Sequence, residues 1–493
     1  MSRRRPPLPT PFFEAPGGSH SRRRLLLISF LFPPDQQVGA LRWQKMSRYV
    51  AERGWELDVI AFDPRCIESP DWSRLDDLPA GTRIYGIRPA VVPIARLIDA
   101  IWTLVRKARR ADAGGKTESS PVANGDGSAA IASQRPTSFA RHEIRWSSTE
   151  FRSYVRAYNA WAIYADLRRS ARDASRLARR IVAAGLHDAI ISSGPPHAAH
   201  EAARIASRET GLPFVMDLRD VWSLAQRCQE HIASPLLFHR GRRYERRAVE
   251  QASLIVANTD AARSAMGRVY PDAAARIVTI TNGCDDEPLP RTRHDGPFTI
   301  AYAGTIYLDR DPGSLFRAAK RVIGEFDLTP SQFALKFIGA NDASLPLTEM
   351  ARAEGIGSFV HVGGSCPRAQ ALEFLARATM LVILPQDTDT AIPAKVFEYV
   401  RFEAWLLALA ERESAVELLL RDTAADVVSS RDCDGIAAVM RRRYSQYATG
   451  ARPARIAVDQ RFSRRVQAEL LLDALERCVR PTSTTRPTCS VAV

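Results

Sequence analysis

Residues 25–62 read LLLISFLFPPDQQVGALRWQKMSRYVAERGWELDVIAF, and the fold class turns on this stretch. It opens on an uninterrupted apolar run, bends at Pro33-Pro34 and passes Gly39 into helical spacing over 40–53. A second apolar run follows at 57–61. Strands that are apolar at every position are buried on both faces, and parallel strands joined through a helix are buried in that way. The stretch therefore reads as a strand–helix–strand unit of a parallel sheet.

The alternation continues outward. Apolar runs predict strands at 25–30, 57–61, 189–192, 213–217, 253–257 and 277–280, then at 298–303, 335–338, 359–362, 380–384 and 405–409. Helical spacing falls between them at 40–53, 197–209, 313–325, 367–377 and 393–403. The pattern occurs twice, separated by a stretch rich in Pro, Gly and charge at 287–297. The expected class is α/β, with two Rossmann-like, doubly wound parallel-sheet domains facing a central cleft, where the carboxyl ends of the strands collect ligands. The expected boundaries are a disordered basic tail at 1–24, an N-terminal domain at 25–290 with a flexible insertion near 112–140, a C-terminal domain at 298–455, a C-terminal helix at 456–480 and a disordered tail at 481–493.

Composition narrows the class. Of 493 residues, 45% are apolar, 25% charged and 8% aromatic, which excludes a disordered, collagen-like or disulfide-scaffold chain. The net charge of +14 is concentrated: residues 1–24 carry +5 and residues 88–180 carry +10. Such a block suits an anionic lipid surface or a nucleic acid. The seven cysteines show no paired spacing, which suits a reducing compartment and gives no zinc pattern. No apolar run approaches the ~18 residues of a membrane span, and the short run after the basic tail reads as a strand rather than a signal peptide.

Four motifs sit at predicted strand ends. In the first, Gly39 at a helix start allows close backbone approach to a phosphate or polar group, though an ordinary strand-to-helix turn has the same form. The second, Ser192 to His200, places His197 and His200 on one turn, either as packed histidines or as groups at a ligand. A metal would need further ligands, and none is evident. The third, Asp217-Leu218-Arg219-Asp220, is an acid–Arg–acid run suited to internal pairing or to sugar hydroxyls and an anion. The fourth joins Gly304 and Arg310 to Lys395 and Glu398, three apart on one helix face. They form either a surface ion pair or a cation for phosphate with a carboxylate for ribose hydroxyls. Asp387-Thr388-Asp389 has the form of a metal-binding tripeptide but is a common one.

Together, RLLLISFLFPPDQQVGALRWQKMSRYVAERGWELDVIAF, ISSGPPHAAHEAARIASRETGLPFVMDLRDVW, TITNGCD, IAYAGTIYLDRDP and IPAKVFEYV resemble, in order across about residues 25–480, bacterial glycosyltransferases of family 4, of the group 1 type. The resemblance implies GT-B architecture and transfer of a sugar from a nucleotide-diphosphate sugar to a glycan or lipid-linked acceptor in cell-surface polysaccharide biosynthesis. It implies a retaining, metal-independent hexosyltransferase with no cofactor beyond the donor. Carried over residue by residue, His200, Arg310 and Lys395 are the catalytic candidates. Gly39, Gly304, Arg310, Lys395 and Glu398 are the donor-binding candidates, and His197, Asp217, Arg219 and Asp220 belong to the sugar or acceptor side. One departure is Thr390, where many relatives carry a Glu.

The basic block gains a reading beside this resemblance. Ile94, Leu97, Ile98, Ile101, Trp102 and Val105 share one helical face opposite Arg96, Asp99, Thr103, Arg106, Lys107 and Arg110. The segment suits either a helix packed on its own domain or an interfacial anchor. The expected partners are a nucleotide-sugar donor, a glycan or lipid-linked acceptor and an anionic inner-membrane surface reached from the cytosolic side. Nucleic acid is not among them, since no aromatic–basic recognition motif is present. The alternatives are a nucleotide-sugar epimerase of the same fold and a noncatalytic scaffold retaining it.

Overall fold

The structure is a computed structural model that describes residues 8–17, 23–67, 69–89, 151–185, 187–224, 235–285, 287–291, 294, 296–306, 310–340, 345–384, 389–456 and 460–479. The basic amphipathic segment, the 112–140 insertion, Asp387 and the tail at 481–493 lie outside these residues; of the expected disordered tail at 1–24, residues 8–17 and 23–24 are described, with Phe13 and Glu14 paired to Ile84 and Arg83 and Ala15 buried. The chain forms two compact units, residues 1–255 with 474–493, and residues 256–473.

The strands are β1 Phe13–Glu14, β2 Arg23–Ile28, β3 Trp55–Phe62, β4 Arg83–Ile87, β5 Ala189–Gly194, β6 Phe214–Leu218, β7 Leu254–Ala257, β8 Ile277–Thr279, β9 Phe298–Ala303, β10 Phe333–Ile338, β11 Val360–Gly363, β12 Met380–Ile383, β13 Trp405–Leu409 and β14 Asp426–Val428. The helices are α1 Val38–Glu52, α2 Phe151–Ala184, α3 Ala198–Thr210, α4 Pro235–Gln251, α5 Asp260–Val269, α6 Gly313–Glu325, α7 Leu347–Ala353, α8 Arg368–Ala376, α9 Ala394–Tyr399, α10 Ala415–Leu420, α11 Cys433–Ala448 and α12 Arg464–Val479. Each expected strand is present within a residue or two of its expected ends.

The first sheet has the order β1-β4-β3-β2-β5-β6-β7-β8, and the second β11-β10-β9-β12-β13-β14. Among the described pairings only the edge strand β1 runs antiparallel; β2 pairs in parallel with both β3 and β5, and β9 with both β10 and β12. In each sheet the chain builds outward from its first parallel strand, returns to that strand's other side and builds outward again. The reversal falls between β2 and β5 and between β9 and β12. The two doubly wound sheets of GT-B architecture are thus in place.

Alternation along the strands explains the cores. In the second unit Phe298, Ile300 and Tyr302 join one buried cluster with Leu315 and Phe316 of α6 and Met440 of α11. Ala301, between them, joins another with Val396 and Phe397 of α9. In the first unit Leu25 through Ile28 are wholly buried. Burying a leucine of this kind contributes about 1.5–3 kcal/mol.

Three readings change. The helix expected over 393–403 ends at Tyr399. Arg401 N–H donates to Glu398 O and Phe402 N–H to Tyr399 O, tighter three-residue turns that wind the chain toward β13. Strands β1, β4 and β14 and the 34-residue α2 were not expected from periodicity, and β1 lies within the stretch read as a disordered tail.

One buried polar network ties the first sheet. Asp58 on β3, fully buried, accepts from Arg83 Nε and Nη2 of β4, each at 2.7 Å, and lies 2.9 Å from His187 Nε2. Asp58→Ala would leave buried cationic donors uncompensated, a loss of about 3–5 kcal/mol. A thermal melt followed by circular dichroism should show a markedly lower midpoint; an unchanged midpoint would mean that the network carries no net stability.

Candidate active site

The reversal points locate two candidate sites, one in each unit, at the carboxyl ends of strands. In the first unit β2 leads toward Gly39, and β5 leads through Pro195-Pro196 into α3. His200, on the first turn of α3, is fully buried. Its Nδ1 is hydrogen-bonded to Ser192 Oγ at 2.7 Å, while its Nε2 is buried without a partner. A Cβ on Gly194 would come within 2.5 Å of that Nε2, so glycine makes the space into which the ring nitrogen points. Burial, reinforced by Arg219, pushes the His200 imidazole down to about 3. His197 stacks on Trp222, with ring centroids 5.1 Å apart and planes inclined by 12°. Its Nδ1 is also buried and unpartnered, and burial holds it well below the ordinary histidine range. Two neutral imidazoles with an unused nitrogen can accept or donate a hydrogen bond to a ligand hydroxyl without adding charge.

Arg219 links the two loops. Its N–H donates to Gly194 O at 2.8 Å, and its guanidinium donates to Gly39 O. A Cβ on Gly39 would collide with that guanidinium and with Leu31, so the glycine admits Arg219 rather than leaving a vacant loop. Burial lowers Arg219 to about 10, opposed by Asp220 and Asp217, and Asp220 itself is exposed. Asp217, fully buried, takes four hydrogen bonds: Arg42 Nε (3.1 Å) and Nη2 (3.0 Å), Trp43 Nε1 (2.8 Å) and Ser193 Oγ (3.1 Å). Asp217 is thus the internal tie of this half-site, pinning α1 to β5 and β6, which is the pairing alternative of the acid–Arg–acid motif. The sequence reading quoted Arg42, Ser192 and Trp222 within its motifs but gave them no role, and it passed over Trp43. Arg42 was visible three residues after Gly39, a helical neighbour of the motif.

In the second unit Gly304 follows β9 with φ +132°, a conformation that favours glycine, and its N–H donates to Ile338 O at 2.7 Å. A Cβ there would meet Lys395 Nζ. Lys395, half-buried on α9, donates to Tyr302 Oη at 2.6 Å, with Nζ 4.1 Å from the ring centroid. Tyr302 in turn donates to Thr305 O at 3.1 Å, and Arg310 Nη1 donates to the same carbonyl at 3.0 Å. Burial, with Arg310 adding to it and Glu398 opposing, pushes the Lys395 amine down to about 7. Tyr399, fully buried, accepts from Ala303 N–H at 2.8 Å and fixes α9 to β9.

Glu398 does not pair with Lys395. It lies 2.9 Å from Arg368 Nη1 of α8, a residue no motif flagged because it sits 30 positions away on another element. Thr390, at the departure position, offers its carbonyl to Thr259 Oγ1 at 2.6 Å. The described residues thus bring Gly304, Arg310, Lys395 and Glu398 together in one unit, and Gly39, His197, His200, Asp217 and Arg219 together in the other. Among them no cluster of His, Cys, Asp and Glu is arranged to hold a metal.

Residues 125–283 match the family described as "Glycosyl transferase 4-like domain". The D-inositol 3-phosphate glycosyltransferase 1 of Catenulispora acidiphila is 28% identical over 163 residues, 30% of this chain and 38% of that protein, so the chain spans well under half the length of that curated relative. Among solved structures, Anabaena HepE in complex with UDP-glucose superposes with TM-score 0.55 at 13% identity, covering 92% of this chain and 99% of that one. TarM gives 0.55 at 9%, covering 94% and 99%, and the lipopolysaccharide outer core galactosyltransferase WaaB gives 0.51 at 10%, covering 92% and 99%. These likenesses establish the fold: the chain resembles GT-B glycosyltransferases over nearly its whole length.

The buried histidines give a direct check. In proton–nitrogen correlation spectra recorded from pH 8 to 5, the His200 ring should keep its neutral signature, whereas an exposed histidine changes near 6.5. A His200 midpoint between 6 and 7 would place the ring in water instead.

Proposed function

We propose that this chain, with its GT-B fold and its match to a glycosyl transferase 4-like domain, is a glycosyltransferase. It moves a hexosyl group from a nucleotide-diphosphate sugar to a glycan or lipid-linked acceptor of cell-surface polysaccharide. The observation that carries this reading is the pairing of Arg310 and Lys395 on the Gly304 loop, where two cationic side chains share one carbonyl through Tyr302. Two basic side chains converging on one loop favour an anion placed beside them. HepE, of the same fold, has been seen in complex with UDP-glucose, which supports a diphosphate as that anion.

The chemistry follows from charge. As the bond between the anomeric carbon and the diphosphate lengthens, positive charge grows on the sugar and negative charge on the leaving oxygen. Arg310 and Lys395 stabilise the latter, and Glu398 accepts from ribose hydroxyls after exchanging its Arg368 contact. His200, neutral, hydrogen-bonds a sugar or acceptor hydroxyl through Nε2 without adding a charge beside the developing cation. The acceptor attacks the face from which the diphosphate leaves, its proton passes to the departing phosphate oxygen, and the product keeps the donor's anomeric configuration. Arg310 and the charged form of Lys395 take the electrostatic part that Mg²⁺ plays elsewhere.

Incubation with donor and acceptor followed by proton NMR should show a retained linkage that forms equally in EDTA. Lys395→Ala should lower the rate about 10²–10³-fold. An inverted anomer, or activity lost in EDTA and restored by Mg²⁺, would overturn the mechanism; a donor altered without any acceptor would point to epimerisation.

An anionic membrane surface is the proposed location. No helix among the described residues is long and apolar enough to cross a membrane. The exposed side of α4 carries Arg240, Arg242, Arg243, Arg246 and Arg247, and that of α2 six more arginines between 168 and 180. The protein should pellet with vesicles rich in anionic lipid and be released by salt. Replacing Arg242, Arg243, Arg246 and Arg247 with Glu should abolish pelleting; equal pelleting with neutral vesicles would refute the electrostatic reading.

A further inference from the structure

A neutral imidazole carries its proton on one of two nitrogens, and the partner of one nitrogen decides what the other can do. His200 is such a ring: it is fully buried, and the charged group beside it is Arg219, a cation that disfavours a second positive charge. Its Nδ1 lies 2.7 Å from the hydroxyl of Ser192 on β5, a side chain that is fully buried as well. Among the described residues that nitrogen is the one hydrogen-bond partner of the hydroxyl. With the proton on Nδ1, the ring would donate to Oγ; the hydroxyl proton would then have no acceptor and the bare Nε2 no donor. With the proton on Nε2, the hydroxyl donates to Nδ1, and a single N–H is left over. Buried polar groups without a partner are costly, so the second arrangement wins.

The N–H left over faces a second unfinished group. A Cβ on Gly194 would lie 2.5 Å from His200 Nε2 and 3.1 Å from His197 Nδ1, so both nitrogens border the space in front of that glycine. Each is buried without a partner. The Trp222 ring, 5.1 Å from that of His197 and 5.9 Å from that of His200, walls the same space. One hydroxyl entering there satisfies both rings when their polarities are opposite: it accepts from His200 Nε2–H and donates to His197 Nδ1. We infer that Ser192 is a positioning residue that keeps the proton of His200 on Nε2 and so makes that nitrogen a hydrogen-bond donor to the ligand. That the ligand group is a sugar or acceptor hydroxyl rests on the functional reading above; the direction of the bond does not.

The test places the proton directly. Long-range proton–nitrogen correlation spectra of the whole protein, labelled with nitrogen-15 at histidine, separate a protonated from a bare ring nitrogen, and the His200 signals are those that vanish in His200→Asn. In wild type the Nε2–H form should outnumber the Nδ1–H form about tenfold or more. Ser192→Ala removes the donor that holds Nδ1 bare, so the ratio should fall by about threefold or more; Ser192→Thr, which returns a hydroxyl, should restore it. Ser192→Cys, close in shape and a weak donor, should lower the ratio in the same direction and serves if Ser192→Ala does not fold. A loss of packing alone would not move the proton from one nitrogen to the other. A wild-type ring protonated on Nδ1, or a ratio unchanged in both Ser192→Ala and Ser192→Cys, would overturn the inference. The spectra need no substrate: if they are as expected and no sugar transfer is found, the functional reading falls and the role of Ser192 stands.

Discussion

Two parallel strands cannot be joined by a tight turn; the chain must cross over one face of the sheet and re-enter at the far end. When it builds outward from a first strand and then returns to that strand's other side, the two connections leave in opposite directions and open a crevice. Here the constraint operates twice, at β2 beside β5 and at β9 beside β12. Every candidate residue except Asp217, which lies on β6 itself, stands on a connection that leaves one of those strands or their neighbours. The chemistry follows from the crossing rule, and the side chains refine it.

Refinement takes two forms. In the first unit a buried carboxylate, Asp217, gathers Arg42, Trp43 and Ser193 and is spent on them, so the groups left over for a ligand are the neutral imidazoles of His197 and His200. In the second unit the glycines bring backbone close to backbone: a Cβ on Gly339, at φ +134°, would strike the carbonyl of Gly304. That contact shapes the loop on which the two cations converge.

Most of the fold was legible because the parallel strands are apolar on both faces and stand out from polar connections. The Gly304–Arg310 and Lys395–Glu398 groups were legible by their spelling. What escaped did so for physical reasons. Helix α2 buries alanines at 171, 174 and 178, whose small side chains give almost no hydrophobic contrast against arginine. Strand β4, RIYGI, carries a glycine that reads as a break, yet Gly86 is there because Asp63 packs against it. Partners from distant elements, such as Arg368 for Glu398, have no local signal. The short end of α9 depends on three-residue turns that apolar spacing does not encode.

The division of labour between arginine and lysine has a wider consequence. The guanidinium groups on α2 and α4 keep their charge across any pH a cell reaches, and their field is tuned only by the ions dissolved around them. The amine at 395 is half-buried, and its pKa, pushed down to about 7, makes it answer to protons as well. A change in salt therefore acts on all of these charges, and a change in acidity on the amine alone among them.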